Sequence, residues 1–504
     1  MKHATITRLA FLASALLPAA GQANPQLDQL LEQTAPILAE PEAYHTPEDT
    51  GETLEPLALT LDQCVALALQ NNARILEADT EVALREAQTG QAKARRRPQI
   101  QGQYSYNYID NLDQGIGSPL IQGLIGAEGY APEKATTTTG LSINQLIYAG
   151  GQVQAAVKAS QYLASSEAWR RDAVRAEIAF QAREAYHTAL LASSLVTVAE
   201  EALEAFERHV SDTEILQREG ASTAYEVLRA KTEAGARRSD LEAARAGAKL
   251  ADINMRRILA LPENQPLTYD ADLPWTPVGE KVEALVASAR AQRPEVLALQ
   301  EAVAASDHQE RGVKGKYLPQ AAATVRWQSV DNGGQVMTDG WSVNVGAQWD
   351  LYLGGQRKHE LGEVRARAEG LRIQLADMER LVAADVEQAC VRLDETTASM
   401  RTGKETVVLA AESVRLANLR FKEGVGTQTE IIDTELTLTQ AKTGLVQAIR
   451  DYFVAYAALQ RAAGGDPAAS SVGAVEETTA DPAVVEAPVV EAPVVEEAAV
   501  ETPK

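Results

Sequence analysis

The sequence predicts a mainly α fold with paired strands long enough to form part of a transmembrane β-barrel, built from one unit present twice. Three observations predict it. The chain matches itself at three landmarks spread over most of its length. Val153–Glu219 and Arg357–Glu423 are proline-free helical patterns of equal length, each followed by a glycine. Segments of two-residue alternation precede each of them, the signature of half-buried strands.

The duplication sets the domain boundaries. Pro98-Gln99 aligns with Pro319-Gln320 at an offset of 221. Ile147-Tyr148-Ala149-Gly150-Gly151-Gln152 aligns with Leu351-Tyr352-Leu353-Gly354-Gly355-Gln356, and Arg218-Glu219-Gly220 with Lys422-Glu423-Gly424, both at an offset of 204. The first copy therefore holds 17 extra residues between its first two landmarks. The copies occupy 58–262 and 279–465, joined by a linker at 263–278 rich in turn residues.

In chain order, Lys2, His3 and Arg8 precede the apolar run Leu9–Ala20, and Gly21-Gln22-Ala23 offers a cleavage site, so 1–23 reads as an export signal. Residues 24–57 are Pro- and Glu-rich and read as a flexible extension. Each copy then opens with a helix, Leu61–Arg97 and Val282–Lys316. Strands follow at 99–110 and 136–148 in the first copy, and at 319–331 and 341–353 in the second. The last is the clearest: Trp341, Val343, Val345, Ala347, Trp349, Leu351 and Leu353 share one face. The first sets Ile100, Tyr104, Tyr106 and Tyr108 against Gln101, Gln103, Ser105 and Asn107. Strands of this length can span a bilayer, although an amphipathic sheet of a soluble domain gives the same alternation. Four strands are too few to close a barrel, so membrane strands here require several chains to share one.

The helical spans that follow are each about 100 Å long at 1.5 Å per residue. Leu371, Leu375, Met378, Val382, Val386, Ala389 and Leu393 form a coiled-coil-like stripe, as do Leu203, Phe206 and Val210. Such stripes need cover, expected from other chains; a soluble coiled coil would show the same pattern but would leave the strands and the export signal unexplained. Residues 466–504 repeat a Val-Val-Glu-Ala-Pro theme without an aromatic and read as a disordered acidic tail.

Charge and composition exclude several functions. A net charge of −23 gives no basic face for nucleic acid. The sequence has no H-E-x-x-H, G-x-S-x-G or Walker A motif, and its six histidines are scattered, so no enzyme, metal site or cofactor is expected. His187 and His209 read as helix-face residues. Gly115-Ile116-Gly117 is an incomplete dinucleotide fingerprint in the 111–135 segment, which reads as an extracellular loop. Cys64 and Cys390 lie in different helices and read as free, buried thiols.

The duplicated unit, the Pro-Gln strand starts, the Tyr-x-Gly-Gly-Gln strand exits and the two Gly-led turns together resemble the TolC-like outer membrane efflux protein family, over about 58–465. The resemblance implies a homotrimer, with four strands from each chain closing a twelve-stranded barrel above a long α-helical periplasmic tunnel. It implies a passive duct in the outer membrane lipid, without a cofactor, for efflux or type I secretion. A periplasmic adaptor and an inner-membrane pump, RND-type or ABC-type, would be its partners. The adaptor-docking tip would comprise Gly220, Ala221, Ser222 and Thr223 with Gly424, Val425, Gly426 and Thr427. Glu430 and Asp433 would ring the pore entrance. Some relatives carry a basic residue in the second turn; Gly426, Thr427 and Gln428 are neutral here, which leaves Arg229 on the other hairpin as a substitute. The competing class is a periplasmic coiled-coil adaptor, which would present one hairpin from a β-rich domain.

Overall fold

A computed structural model describes residues 55–108, 135–270, 281–332 and 335–465. The export signal, all but the end of the extension, the loop through Gly115-Ile116-Gly117 and the acidic tail lie outside the described residues. The described elements are β1 (Leu57–Leu59), α1 (Leu61–Asn71), α2 (Ala73–Ala94), β2 (Gln99–Tyr108), β3 (Ala135–Ala149), α3 (Gln152–Arg218) and α4 (Ala224–Leu259). The second copy follows as β4 (Leu267–Tyr269), α5 (Val282–Gln292), α6 (Pro294–Gly315), β5 (Gln320–Asn332), β6 (Gln335–Gln348), α7 (Gln356–Lys422) and α8 (Gln428–Ala462). No described helix is long and apolar enough to cross a membrane.

The duplication extends to single core positions. One core gathers Cys64, Ala68, Ile75, Ile178, Ala182 and Met255. The other gathers Leu285, Ala289, Val296, Val382, Val386 and Leu459. These pair off at the two offsets already found, 221 for the short helices and 204 for the long ones. The stripe on α7 is therefore covered largely within the chain, by α5 and α8, and not by other chains as expected from sequence. Cys64 is buried, which pushes its thiol up to about 12; Cys390 is free but only half-buried, a correction to the expected pair of buried thiols.

The opening helix of each copy is broken, where the sequence reading had one continuous helix. The breaks fall at Asn72 and Arg293, again 221 apart, both with ψ near 125°. In the second copy the cause is Pro294, which excludes the preceding residue from helical geometry. In the first copy it is the Asn72 side chain. Its Oδ1 accepts from Arg74 N at 3.0 Å, capping α2, and its Nδ2 donates to the Ile258 carbonyl at 2.9 Å. Alanine at 72 loses both bonds and leaves a buried carbonyl unpaired. The Asn72→Ala protein should be destabilised by about 1–2 kcal/mol, read as a lowered thermal midpoint.

Two segments expected to be unstructured pair with each other. Leu57, at the end of the extension, and Leu267, in the linker, open the parallel ladder β1–β4. Tyr186 of α3 fixes that ladder, its hydroxyl donating to the carbonyls of Leu59 (3.3 Å) and Asp270 (2.6 Å).

His187, beside it, is buried. It stacks on Phe453 at 4.9 Å, and burial together with Arg183 and Arg450 lowers its pKa to about 4. The native state thus disfavours the imidazolium. The associated stability is complete above the ordinary histidine pKa of about 6.5 and is lost as pH falls toward 4, roughly 3 kcal/mol in all. His187→Phe keeps the ring stack and should lose less stability than wild type between pH 7 and pH 4 in parallel unfolding titrations.

The antiparallel sheet runs β2-β3-β5-β6. Its register sorts side chains by face. Ile100, Ile143, Val325 and Val343 form one row across the four strands, and Gly102, Leu141, Trp327 and Trp341 the next. The other face carries Gln101, Ser142, Arg326 and Ser342, then Gln99, Asn144, Thr324 and Asn344. On the apolar face Trp341, Val343 and Val345 are about 70% exposed, so nothing among the described residues covers them. The fourth strand differs from expectation: β6 begins at Gln335 and ends at Gln348, so Trp349, Leu351 and Leu353 lie beyond the ladder.

A glycine pair joins each sheet half to its long helix. Gly150 and Gly151 have φ of 57° and 80°, and Gly354 and Gly355 have φ of 61° and 86°. All four occupy the left-handed region that side chains rarely adopt.

Candidate functional site

The far ends of the four long helices are the candidate site. In the first hairpin Gly220 (φ 80°) ends α3, and the amides of Ala221 and Ser222 donate back to the Leu216 carbonyl at 2.8 and 3.2 Å. Thr223 then caps α4: its Oγ1 accepts from Glu226 N at 3.3 Å, while Glu226 Oε2 accepts from Thr223 N at 2.7 Å. The hydrogen bonds from Thr223 and Ser222 hold the Glu226 carboxyl below the usual carboxylate range.

The second hairpin repeats this turn with one change. Gly424 (φ 73°) ends α7, Val425 and Gly426 donate to the Arg420 carbonyl, and Thr427 Oγ1 accepts from Glu430 N at 3.2 Å. A side chain at 426 would lie 2.8 Å from Phe421 N, so this position needs glycine for space. Glu430 does not reach back to its cap as Glu226 does. Its carboxylate turns to Arg420 at 3.4 Å. Both partners are substantially exposed, so the pair contributes little stability. Asp433, three residues on, is exposed.

The two tips are tied together. Arg229 Nη1 donates to Thr429 Oγ1 at 3.0 Å, and Gln428 Nε2 donates to the Glu226 carbonyl at 3.2 Å. Below these bonds Phe206 of α3, Ala234 of α4 and Ile432 of α8 form a small buried core with Val210 and Leu436. His209, buried like His187, lies edge-on to Phe421 of α7 at 6.2 Å. The eight turn residues therefore fall at two adjoining tips, with Glu430 and Asp433 in the first turns of α8. The sequence reading missed Gln428 as a buried tie and Glu435 as a half-buried carboxyl, raised by desolvation despite Arg208 and Lys442. Neither has a sequence signal of its own, because both depend on which helix faces which.

Residues 64–261 and 285–465 match the family described as outer membrane efflux protein. The chain belongs to this family. The two matched segments fall within 58–262 and 279–465. Over 415 residues the chain is 26% identical to the outer membrane efflux protein BepC of Brucella suis biovar 1 (strain 1330), covering 81% of this chain and 86% of that protein. Its fold is similar to the CmeC outer membrane channel of Campylobacter jejuni, with a TM-score of 0.69 at 15% identity over 85% of this chain and 94% of that one. It is also similar to the MtrE outer membrane channel of Neisseria gonorrhoeae in its open state, with a TM-score of 0.65 at 17% identity over 81% and 89%. This outer membrane efflux protein is a non-enzymatic exit duct of the outer membrane, its helical hairpins lying on the periplasmic side. The coiled-coil adaptor alternative finds no support.

Proposed function

We propose that three copies of the chain close one barrel and one tunnel, and that the hairpin tips are its periplasmic gate. The observation that carries this reading is the four-stranded sheet with one apolar face, one polar face and two edges, β2 and β6, that have no partner strand among the described residues. Edges left open in a bilayer cost several kcal/mol per unpaired group, so β6 of one chain needs β2 of another. Closure puts the apolar rows toward lipid and the polar rows toward water.

The helices support the same arrangement. Within the chain, α6 of the second copy covers α3 of the first, with Ser166 Oγ donating to the Ala298 carbonyl at 2.7 Å. By the repeat, α7 should receive the same cover from an α2. Among the described residues α2 does not supply it: Ile373 of α7, the counterpart of Trp169, stays more than half exposed. The α2 of a neighbouring chain would cover it. Leu381 and Val391, also more than half exposed, correspond to Glu177 and His187, which α8 covers through Arg461 and Phe453, so a neighbouring chain's α4 would cover them.

At the tips, threefold symmetry would multiply Glu430 and Asp433 into a ring of carboxylates around the entrance, favouring cations. The exposed Tyr225, Leu228 and Val425 around the turns would offer apolar contact to a periplasmic adaptor, with an RND-type or ABC-type pump behind it. The test is a planar-bilayer recording of the purified protein. Wild type should conduct with cation preference. Glu430→Ala with Asp433→Ala should shift the reversal potential toward that of a non-selective pore. An unchanged reversal potential would remove both residues from the entrance, and a folded, detergent-free, water-soluble monomer would end the barrel reading.

A further inference from the structure

We propose that the recess between the polar face of the sheet and the start of α3 binds organic anions that carry an apolar body. The recess holds about 630 Å³, within the range of small-molecule sites. It forms where the two copies meet: β2, β3 and the first turns of α3 come from one copy, and α6 and β5 from the other. Its sheet wall belongs to the polar face, since Gln99, Asn144 and Thr324 stand in one register row.

The charge of the recess is opposite to that of the chain. Arg95, Arg97 and Lys316 line it, and no carboxylate does. Lys316 is partly neutralised by Glu360 at 2.8 Å. His308 also lines it; desolvation and the neighbouring Arg311 and Lys158 lower its pKa despite Asp307. Val153 and Val313 supply apolar surface. Gln99, Asn144 and Gln309 line the wall as well and carry amide N–H donors. In a chain of net charge −23, this is a locally cationic, partly apolar pocket with hydrogen-bond donors. A sulfonate or carboxylate on a hydrophobic frame matches all three properties.

The site's place in the lumen rests on the closed-barrel reading above; its ligand chemistry does not. The test is calorimetric titration of the full-length protein in detergent with naphthalene-2-sulfonate and, separately, with the cation 2-naphthylmethylammonium. The sulfonate should bind with an affinity that weakens as salt rises from about 50 to about 500 mM. The cation should bind at least about tenfold more weakly. Arg95→Gln with Arg97→Gln should weaken sulfonate binding about tenfold or more, and Lys316→Gln should weaken it less. Equal binding of anion and cation overturns the proposal, as does salt-independent binding. Full affinity in the double variant also overturns it. If that variant does not assemble, the two wild-type comparisons decide. Conductance of the same preparations separates the two readings: a conducting protein that binds no sulfonate overturns the site alone, whereas a non-conducting one that binds it overturns the lumen.

Discussion

Gly150→Ala should abolish most assembled protein in the outer membrane, whereas Gly151→Ala should leave it nearly intact. The two glycines are neighbours with similar left-handed φ, so backbone strain alone predicts similar costs of about 1–2 kcal/mol. Their surroundings differ. A Cβ at 150 would stand 2.2 Å from the Gly315 carbonyl oxygen and 2.8 Å from Leu318 Cβ, while a Cβ at 151 meets nothing within 4 Å. The clash at 150 involves backbone, which cannot swing aside as a long side chain can. Adding an overpacking cost of about 1–3 kcal/mol to the strain brings Gly150→Ala to about 2–5 kcal/mol, a large share of a domain's stability. The readout is the heat-modifiable oligomer in outer-membrane fractions.

The same experiment at the second copy tests assembly. Gly354 has the same conformation as Gly150, yet in the single chain a Cβ there meets nothing within 4 Å. Gly315 corresponds, 221 residues back, to Ala94. If the neighbouring chain's α2 seats against the start of α7, Gly354 meets that chain's Ala94, whose Cβ keeps the two backbones further apart than at Gly150, where a Cβ on Gly315 would stand 2.4 Å from the Gly150 oxygen. Gly354→Ala should then cost less than Gly150→Ala but more than Gly151→Ala in the assembled protein. If the seat stays open, the cost falls to strain alone, as at Gly151. Equal yields of the Gly354→Ala and Gly151→Ala proteins would contradict the proposed ring of alternating copies.

The sequence showed these features unevenly, for physical reasons. The duplication, the long helices and the Gly-led turns were legible because each is written in adjacent residues: a glycine where φ must be positive, a threonine where a helix needs a cap. The faces of the strands were legible too, since alternation puts Trp341 and Val343 on one side whatever lies opposite. The break at Arg293 had a visible cause in Pro294. The equivalent break at Asn72 did not, because asparagine interrupts a helix only when its amide finds the Ile258 carbonyl, 186 residues away. The β1–β4 ladder hid in segments rich in turn residues for the same reason. At the tips, sequence placed the turns and left Arg229 as the basic residue facing the second one; it could not show that Gln428 is buried or that Glu430 turns toward Arg420. The ends of β6 were misplaced because the apolar alternation runs on through Trp349 and Leu351, past the point where the ladder stops.

Arg229→Ala combined with Gln428→Ala should hold the pore open. These side chains make the hydrogen bonds that tie the second hairpin tip to the first, at 3.0 and 3.2 Å. The Arg229 bond is exposed and contributes about 0.5–1 kcal/mol; the Gln428 bond is buried, and its loss leaves the Glu226 carbonyl without that partner, about 1–2 kcal/mol. Each protomer then loses about 2 kcal/mol of closure, which alone shifts an open–closed ratio by more than tenfold. If three protomers open together, the costs add in the exponent and the shift multiplies accordingly. The small core of Phe206, Ala234 and Ile432 joins the two hairpins beneath the tie and remains, so opening is a splaying of the tips above it. Single-channel recording should therefore show wild type mostly in a low-conductance state and the double variant mostly in a high one, with each single variant between them. Arg229→Lys keeps the charge and should restore part of the closure, because one donor can still reach Thr429. A double variant with wild-type conductance and open time would place the closing contacts elsewhere, between chains and not between the two hairpins of one chain.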